Sequence, residues 1–197
     1  HDIEQVATPY GFKKDPELVL NFYNGLRKQL KDVQPNPAHL LLAELEKDYN
    51  VIVITQNVDD LHERAGSTNI IHLHGELLKM RGVDDPYTFY DCTEDIKVGD
   101  LSPNGAQLRP HIVWFGEDVP MIVKAAEEVE TADIVLIVGT SLQVYPAAGL
   151  MNCAEEGTPI YYVDPRPSIS SKNNITVIKD VASKGVAKAI ELIKELK

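Results

Sequence analysis

The chain has 197 residues, 44% of them apolar and 25% charged, enough for a globular body with its own core, as one large domain or one domain with a small module. Against 19 Lys+Arg stand 30 Asp+Glu, and the net charge of −11 argues against direct nucleic-acid binding, which needs a basic footprint. No apolar run reaches membrane-spanning length, and Cys92 and Cys153 stand in no metal or redox spacing, as expected of a chain kept in a reducing cytoplasm.

Helices and strands alternate along the chain. Asp15 and Pro16 supply an N-cap and a first-turn residue for a helix to about Lys31, with Leu18, Val19, Phe22, Leu26 and Leu30 at helical spacing. Pro37 opens a second helix through Leu41 and Leu45. Val51–Thr55 is a continuous apolar run, the mark of a strand buried on both faces. A short helix from Asp59 to Ala65 stops at Gly66, and Ile70–Leu73 is the next short strand. From about Arg81 to Gln107 the chain is polar, rich in Asp, Gly and Pro, and has neither period. Ile134–Val138 reads as a second buried strand ending at Gly139-Thr140-Ser141. Ile160–Val163 and Ile175–Ile178 add two more, before a tail helix that buries Val186, Ile190 and Ile193. The expected class is α/β, a doubly wound, Rossmann-like parallel sheet that presents ligand groups at its carboxyl strand ends.

Two such ends carry the chemistry. Gln56-Asn57-Val58-Asp59 and His72-Leu73-His74-Gly75-Glu76 gather carboxamides, carboxylates and imidazoles suited to a sugar-like or nucleotide ligand. Taken alone, the first reads equally well as an Asn/Asp turn capping the next helix. His72 reads as a packing or orienting residue. A rival reading pairs His72 with His74, which share a strand face, as ligands of a metal completed by Asp59 or Asp60, giving a metallohydrolase. Gly139-Thr140-Ser141 is a small-residue turn whose N–H groups and hydroxyls can approach a phosphate, a common and weak signal by itself. Asp164 follows a strand, where an acidic residue can accept from a ribose.

Four blocks in order, TQNVDDLHERAG from Thr55, IIHLHGE from Ile70, LRPHIVWFGE from Leu108 and IVGTSLQVYPAAGL from Ile137, with ATPYGF ahead of them, resemble the sirtuins. Their bacterial class III type is the nearest match. The resemblance implies an NAD-dependent protein-lysine deacylase, a deacetylase or desuccinylase that transfers the acyl group to ADP-ribose and releases nicotinamide. Its cofactor would be NAD and its partners acyl-lysine proteins or peptides, with no direct nucleic acid and no membrane. By resemblance, His74 is the catalytic base toward a ribose hydroxyl. Gln56, Asn57 and Asp59 line the nicotinamide–ribose pocket, Asn57 with a catalytic share. Gly139, Thr140 and Ser141 take NAD, Asp164 stands where the family usually has Asn, and Ala182 lies in a turn that matches the adenine contact loosely. An extended peptide is expected along Val113–Glu117 and Leu142–Tyr145, touching Val113, Phe115, Gly116 and Val144. Trp114 reads as core.

Three departures bear on that expectation. Segment 81–107 occupies the family's zinc-ribbon position but offers Cys92 alone, so no metal is expected there, and Tyr87, Phe89 and Tyr90 are expected to cluster in its place. The corresponding domain plan is a Rossmann-like body of 1–80 and 108–197, with part of a small module near 13–48 and the rest at 81–107. The family's first strand and its GAG-containing NAD loop have no counterpart here. A further N-terminal segment in the natural protein is the expectation, on which activity would depend; the alternative is a catalytically silent NAD or ADP-ribose binding module. Finally, class III enzymes that prefer succinyl- or malonyl-lysine carry Tyr and, three residues on, Arg. Here Tyr23 is followed by Leu26, with Arg27 one place later. Either Leu26 lines the acyl pocket and Arg27 faces water, or Arg27 reaches round to take the missing role.

Overall fold

A computed structural model describes residues 2–196. Its elements in chain order begin with α1 (Ile3–Val6), α2 (Pro9–Lys14), α3 (Pro16–Leu30), α4 (Pro37–Leu45), β1 (Val53–Thr55), α5 (Leu61–Ala65), β2 (Ile70–His72) and β3 (Gly75–Gly82). Beyond them lie β4 (Phe89–Asp91), β5 (Leu108–Ile112), α6 (Ile122–Glu130), β6 (Val135–Val138), a 3₁₀ turn (Ala147–Cys153), β7 (Ile160–Val163), β8 (Ile175–Ile178) and α7 (Ala182–Lys194). Contacts divide the chain into two compact units. One takes the residues through Gln34 with Thr55–Asp60 and His72–Pro120; the other takes Pro35–Ile54, Leu61–Ile71 and everything from Met121 onward. Segment 81–107 and the residues of the expected small module up to Gln34 lie in the first unit, and those from Pro35 to Asp48 lie in the second.

In the first unit, α3 starts as its sequence dictates. The Asp15 carboxylate accepts from Leu18 N–H at 3.0 Å, and Pro16 occupies the first turn, where its missing N–H costs nothing. Of the expected stripe, Val19 and Leu30 are buried, while Leu18, Phe22 and Leu26 are only half-buried, so the buried face is turned from the one expected. It runs through Val19, Leu20, Tyr23, Asn24, Arg27 and Leu30. Opposite it lies a three-stranded antiparallel sheet in the order β4-β3-β5. The supposedly patternless segment therefore holds a strand of its own and the end of another. A register shift between Glu76 and Met80 breaks the alternation that would have marked β3. One core cluster here is Leu20, Cys92, Ile96 and Leu108, with Phe12 and Met80 against it. The aromatic cluster expected of Tyr87, Phe89 and Tyr90 does not form: Tyr87 is 77% exposed, and Phe89 stacks on His111 with centroids 4.3 Å apart.

Arg27 corrects the expectation that it faces water. It is fully buried. Its Nε donates to Leu77 O at 3.1 Å, and one terminal nitrogen donates to Asn24 Oδ1 at 2.9 Å and to Glu94 O at 3.3 Å. Asn24 in turn grips Ile96 by both backbone groups, donating to its carbonyl at 2.9 Å and accepting from its N–H at 3.0 Å. Together the two side chains fasten the chain at residues 77 and 94–96 to α3 without a metal. Structural zinc does not fit this place. Cys92 is buried, its thiol donates to Glu94 O, and burial pushes its pKa up, although Arg27 pulls the other way. Metal binding needs the thiolate and three further ligands, and among the described residues no grouping of possible ligands includes Cys92. Purified protein is expected to contain far less than one zinc per chain by elemental analysis. A stoichiometric zinc lost together with the fold on chelation would contradict this.

The second unit carries the parallel sheet β6-β7-β8, in register from Val135↔Ile160 to Val138↔Val163 and from Ile160↔Ile175 to Val163↔Ile178. β7 is buried along its whole length. β6, expected to be equally buried, is half-exposed throughout, since among the described residues it pairs with β7 alone. On one side Val186, Ala189, Ile190 and Ile193 of α7 are buried, the helical spacing turning one face to the core. They close two clusters, one with Tyr161 and Val163 of β7 and one with Ala38 of α4. β1 and β2 form a further pair, through Val53 N–H to Asn69 O in this unit and Leu73 N–H to Thr55 O in the first, each 2.9 Å. Among the described residues no helix is long and apolar enough to cross a membrane.

Candidate functional site

Gln56, Asn57, Asp59, His72 and His74 come together within the first unit. The chain leaves β1 at Thr55, whose hydroxyl accepts from Asn57 N–H at 3.0 Å and turns the backbone sharply. That turn aims two carbonyls at two imidazoles. His74 Nδ1 lies 3.2 Å from Gln56 O, and His72 Nδ1 lies 3.3 Å from Asn57 O. A carbonyl oxygen only accepts, so each Nδ1 must carry its proton. In the neutral ring of His74 the remaining lone pair is then on Nε2. Burial lowers the pKa of His74, and the Gln56 carbonyl offsets this only in part. The neutral, basic form therefore prevails at neutral pH.

The glycine after His74 fixes the place of the imidazole. Gly75 has φ +81°, and a Cβ there would overlap the carbonyl of His111 on β5. Only glycine allows this approach. Just before it, His74 O accepts from Val113 N–H at 2.9 Å. The imidazole and the Val113–Glu117 segment are thus one hydrogen bond apart in the backbone. No grouping of possible metal ligands among the described residues includes His74, Asp59 or Asp60, which the metallohydrolase reading requires beside His72. His111 is no rival base: burial, with Arg81, Arg109 and Lys79 beside it, pushes its pKa down to about 4.

Val113–Glu117 is braced by residues whose role the sequence did not reveal. Glu117 takes the fork of Arg109 at 2.6 and 3.0 Å and accepts from Trp114 N–H at 2.8 Å. Arg109 also donates to Ile112 O at 2.8 Å and stacks over Trp114 at 3.4 Å. Burial alone would raise the pKa of Glu117, but Arg109, with Arg81 behind it, more than reverses that, so it stays ionised. Trp114 is core as expected, and its indole N–H donates to the hydroxyl of Tyr23 at 2.9 Å. Burial raises the pKa of Tyr23 and keeps it a neutral phenol. Around this brace Phe115 is 55% exposed, Val113 half-buried and Gly116 open at φ +89°. Leu26 is half-buried on the helix that carries Tyr23. Arg109 and Glu117 bracket the WFG sequence eight residues apart, a spacing that carries no signal until the turn is seen.

The other expected residues lie in the second unit. Gly139 (φ +63°), Thr140 and exposed Ser141 leave β6, and Leu142 is also left-handed at φ +56°. Half-buried Asp164 leaves β7 and accepts from Arg166 N–H at 2.7 Å. Val144 is 40% exposed. Ala182 is the first residue of α7 and packs against Ala38, Val186 and Ile190.

Against known proteins the agreement is extensive. The Sir2 family pattern matches residues 1–146. A curated protein of Bacteroides thetaiotaomicron named NAD-dependent protein deacylase is 52% identical over 200 residues, covering 98% of this chain and 86% of its own length. Among solved structures, a Sir2 homologue in complex with NAD is 35% identical with a TM-score of 0.85, covering 98% of this chain and 78% of that one. A Sir2 bound to acetylated peptide is 28% identical with a TM-score of 0.81, covering 97% of this chain and 84% of that one.

Proposed function

The chain belongs to the Sir2 family, and from this we infer that it is an NAD-dependent protein deacylase acting on acyl-lysine proteins. NAD, when bound, supplies the ADP-ribose that accepts the acyl group as nicotinamide leaves. The residues supply the rest. The observation that carries the catalytic assignment is the contact of His74 Nδ1 with Gln56 O, from which the tautomer follows. With Nδ1–H committed to Gln56 O, its Nε2 is left to take a proton from a ribose hydroxyl. Asn57 is exposed on the same turn and, with Gln56 and Asp59, has the donors and acceptors that ribose and carboxamide groups need. Gly139, Thr140, Ser141, Asp164 and Ala182 stand at strand and helix ends suited to the remainder of the cofactor. Val113, Phe115, Gly116 and Val144 are assigned to the acyl-lysine peptide. A cytoplasmic setting is part of the proposal, supported by two unpaired cysteines.

The acyl preference is set by α3. Arg27 is occupied by carbonyls, and the position three residues after Tyr23 holds Leu26. With its Nε and one terminal nitrogen committed and the side chain buried, Arg27 cannot offer a two-pronged fork to the distal carboxylate of a succinyl group, although its second terminal nitrogen has no partner. Competition between acetyl-, butyryl- and succinyl-lysine versions of one peptide is expected to favour the uncharged groups or show parity. Leu26→Arg is expected to shift the ratio toward succinyl. A strong succinyl preference in the unaltered protein would contradict the assignment.

A further inference from the structure

The Tyr162 hydroxyl ties two loops of the second unit together. Tyr162 is the third residue of β7 and wholly buried. Its hydroxyl donates to Thr140 O at 2.8 Å, in the turn after β6. The same oxygen lies 3.4 Å from both the N–H and the hydroxyl of Ser168, in the loop after β7. A phenol has one proton to give and lone pairs to receive, so a single buried oxygen can serve both loops at once. Phenylalanine would fill the space and serve neither.

The turn has need of a restraint. Leu142 sits at φ +56°, a conformation that costs a side-chain-bearing residue energy and persists only where the surroundings impose it. Besides Tyr162, the turn is held by Leu142 N–H donating to Thr140 Oγ1 at 3.2 Å. The second loop, Asp164-Pro165-Arg166-Pro167-Ser168, is stiffened by its prolines and by the Asp164–Arg166 turn. Tyr162 joins these two stiff pieces at their bases, while Ser141 and Asp164 stay accessible on them.

We propose that Tyr162 is a positioning residue for the dinucleotide, holding the Gly139–Ser141 turn and the Asp164–Ser168 loop in the spacing that an ADP-ribose moiety spans. This rests on the assignment of those two loops to the cofactor. Loss of the hydroxyl removes pre-organisation, so it should appear in cofactor binding and not in the chemical step.

The test uses the full-length protein and ADP-ribose in calorimetric titration. Tyr162→Phe is expected to weaken ADP-ribose binding by about 5- to 10-fold, the scale of one lost hydrogen bond. KM for NAD should rise in parallel, while kcat at saturating NAD and KM for the peptide stay within about two-fold. Ser168→Ala, which keeps the Thr140 bond, should have a smaller effect in the same direction. Gly139→Val reports on the underlying assignment. If it weakens ADP-ribose binding while Tyr162→Phe does not, the positioning role is overturned and the cofactor assignment stands. If neither weakens it, the assignment fails with it. A Tyr162→Phe protein in which kcat and peptide KM worsen as much as NAD binding would show general loosening and would also overturn the proposal.

Discussion

Replacing His74 with Ala is expected to lower NAD-dependent deacylation by on the order of 10²–10⁴-fold, the usual worth of a positioned general base. The fold should survive, because the ring is half-buried and its Nδ1 bonds to a backbone carbonyl at a turn. Circular dichroism and the melting temperature check that side. The pH profile checks the chemistry. Burial lowers the pKa of His74, and the base works in its neutral form. The acid limb of kcat/KM should therefore fall below the ordinary histidine value of about 6.5, with rate lost as pH drops through that pKa and a plateau above it. Removing Gln56 O is not possible by side-chain substitution, so the tautomer is probed through the base itself. Undiminished turnover in His74→Ala would end the assignment.

Arg27→Met is expected to cost about 3 kcal/mol of stability, since it removes three hydrogen bonds from a buried charged donor and takes that donor from Leu77 O, at about 1–3 kcal/mol for a buried group left unsatisfied, while Glu94 O and Asn24 Oδ1 keep the Cys92 thiol and Ile96 N–H. For a chain of this size that is a melting temperature lower by roughly 6–12 °C. Arg27→Lys should recover little, because a single ammonium cannot reach oxygens spread along 77–94 as a planar fork does. Asn24→Ala should destabilise through the same ladder, by releasing both backbone groups of Ile96. The two effects should be strongly non-additive, since Arg27 and Asn24 share a hydrogen bond. Melting curves of the three variants and the double variant measure all of this. An Arg27→Met protein as stable as the parent would show that the buried guanidinium does not hold the segment.

The contrast between α3 and the segment after it shows what a sequence can reveal. Asp15-Pro16 marks the start of the helix locally, and the strands Ile160–Val163 and Ile175–Ile178 are short, apolar and bounded by turn residues, so both strands fall where the pattern places them. The inward turn of Arg27 depends on more than its own helix. Besides Asn24, its partners lie 50 and 67 residues away, and without them a charged side chain belongs in water. β4 was hidden for a related reason. It is three residues long with two of them exposed, and gains its order by pairing Lys79–Arg81 with Phe89–Asp91. At the site, the motif residues Gln56, Asn57 and His74 were legible as chemistry. The carbonyl that sets the tautomer of His74, the Arg109–Glu117 brace and the Tyr162 tie were not, because backbone carbonyls and buried hydroxyls leave no periodic mark.

Dependence of deacylation on NAD and on His74 together can be read in one experiment, in which mass spectrometry follows a single acyl-lysine peptide with the full-length protein, with and without NAD. No deacylation is expected without NAD. With NAD, deacylated peptide, nicotinamide and acylated ADP-ribose should appear in equal amounts, and all three should vanish in His74→Ala. Deacylation that proceeds without NAD, or NAD binding with no turnover of any acyl-peptide, would contradict an NAD-dependent deacylase built on His74.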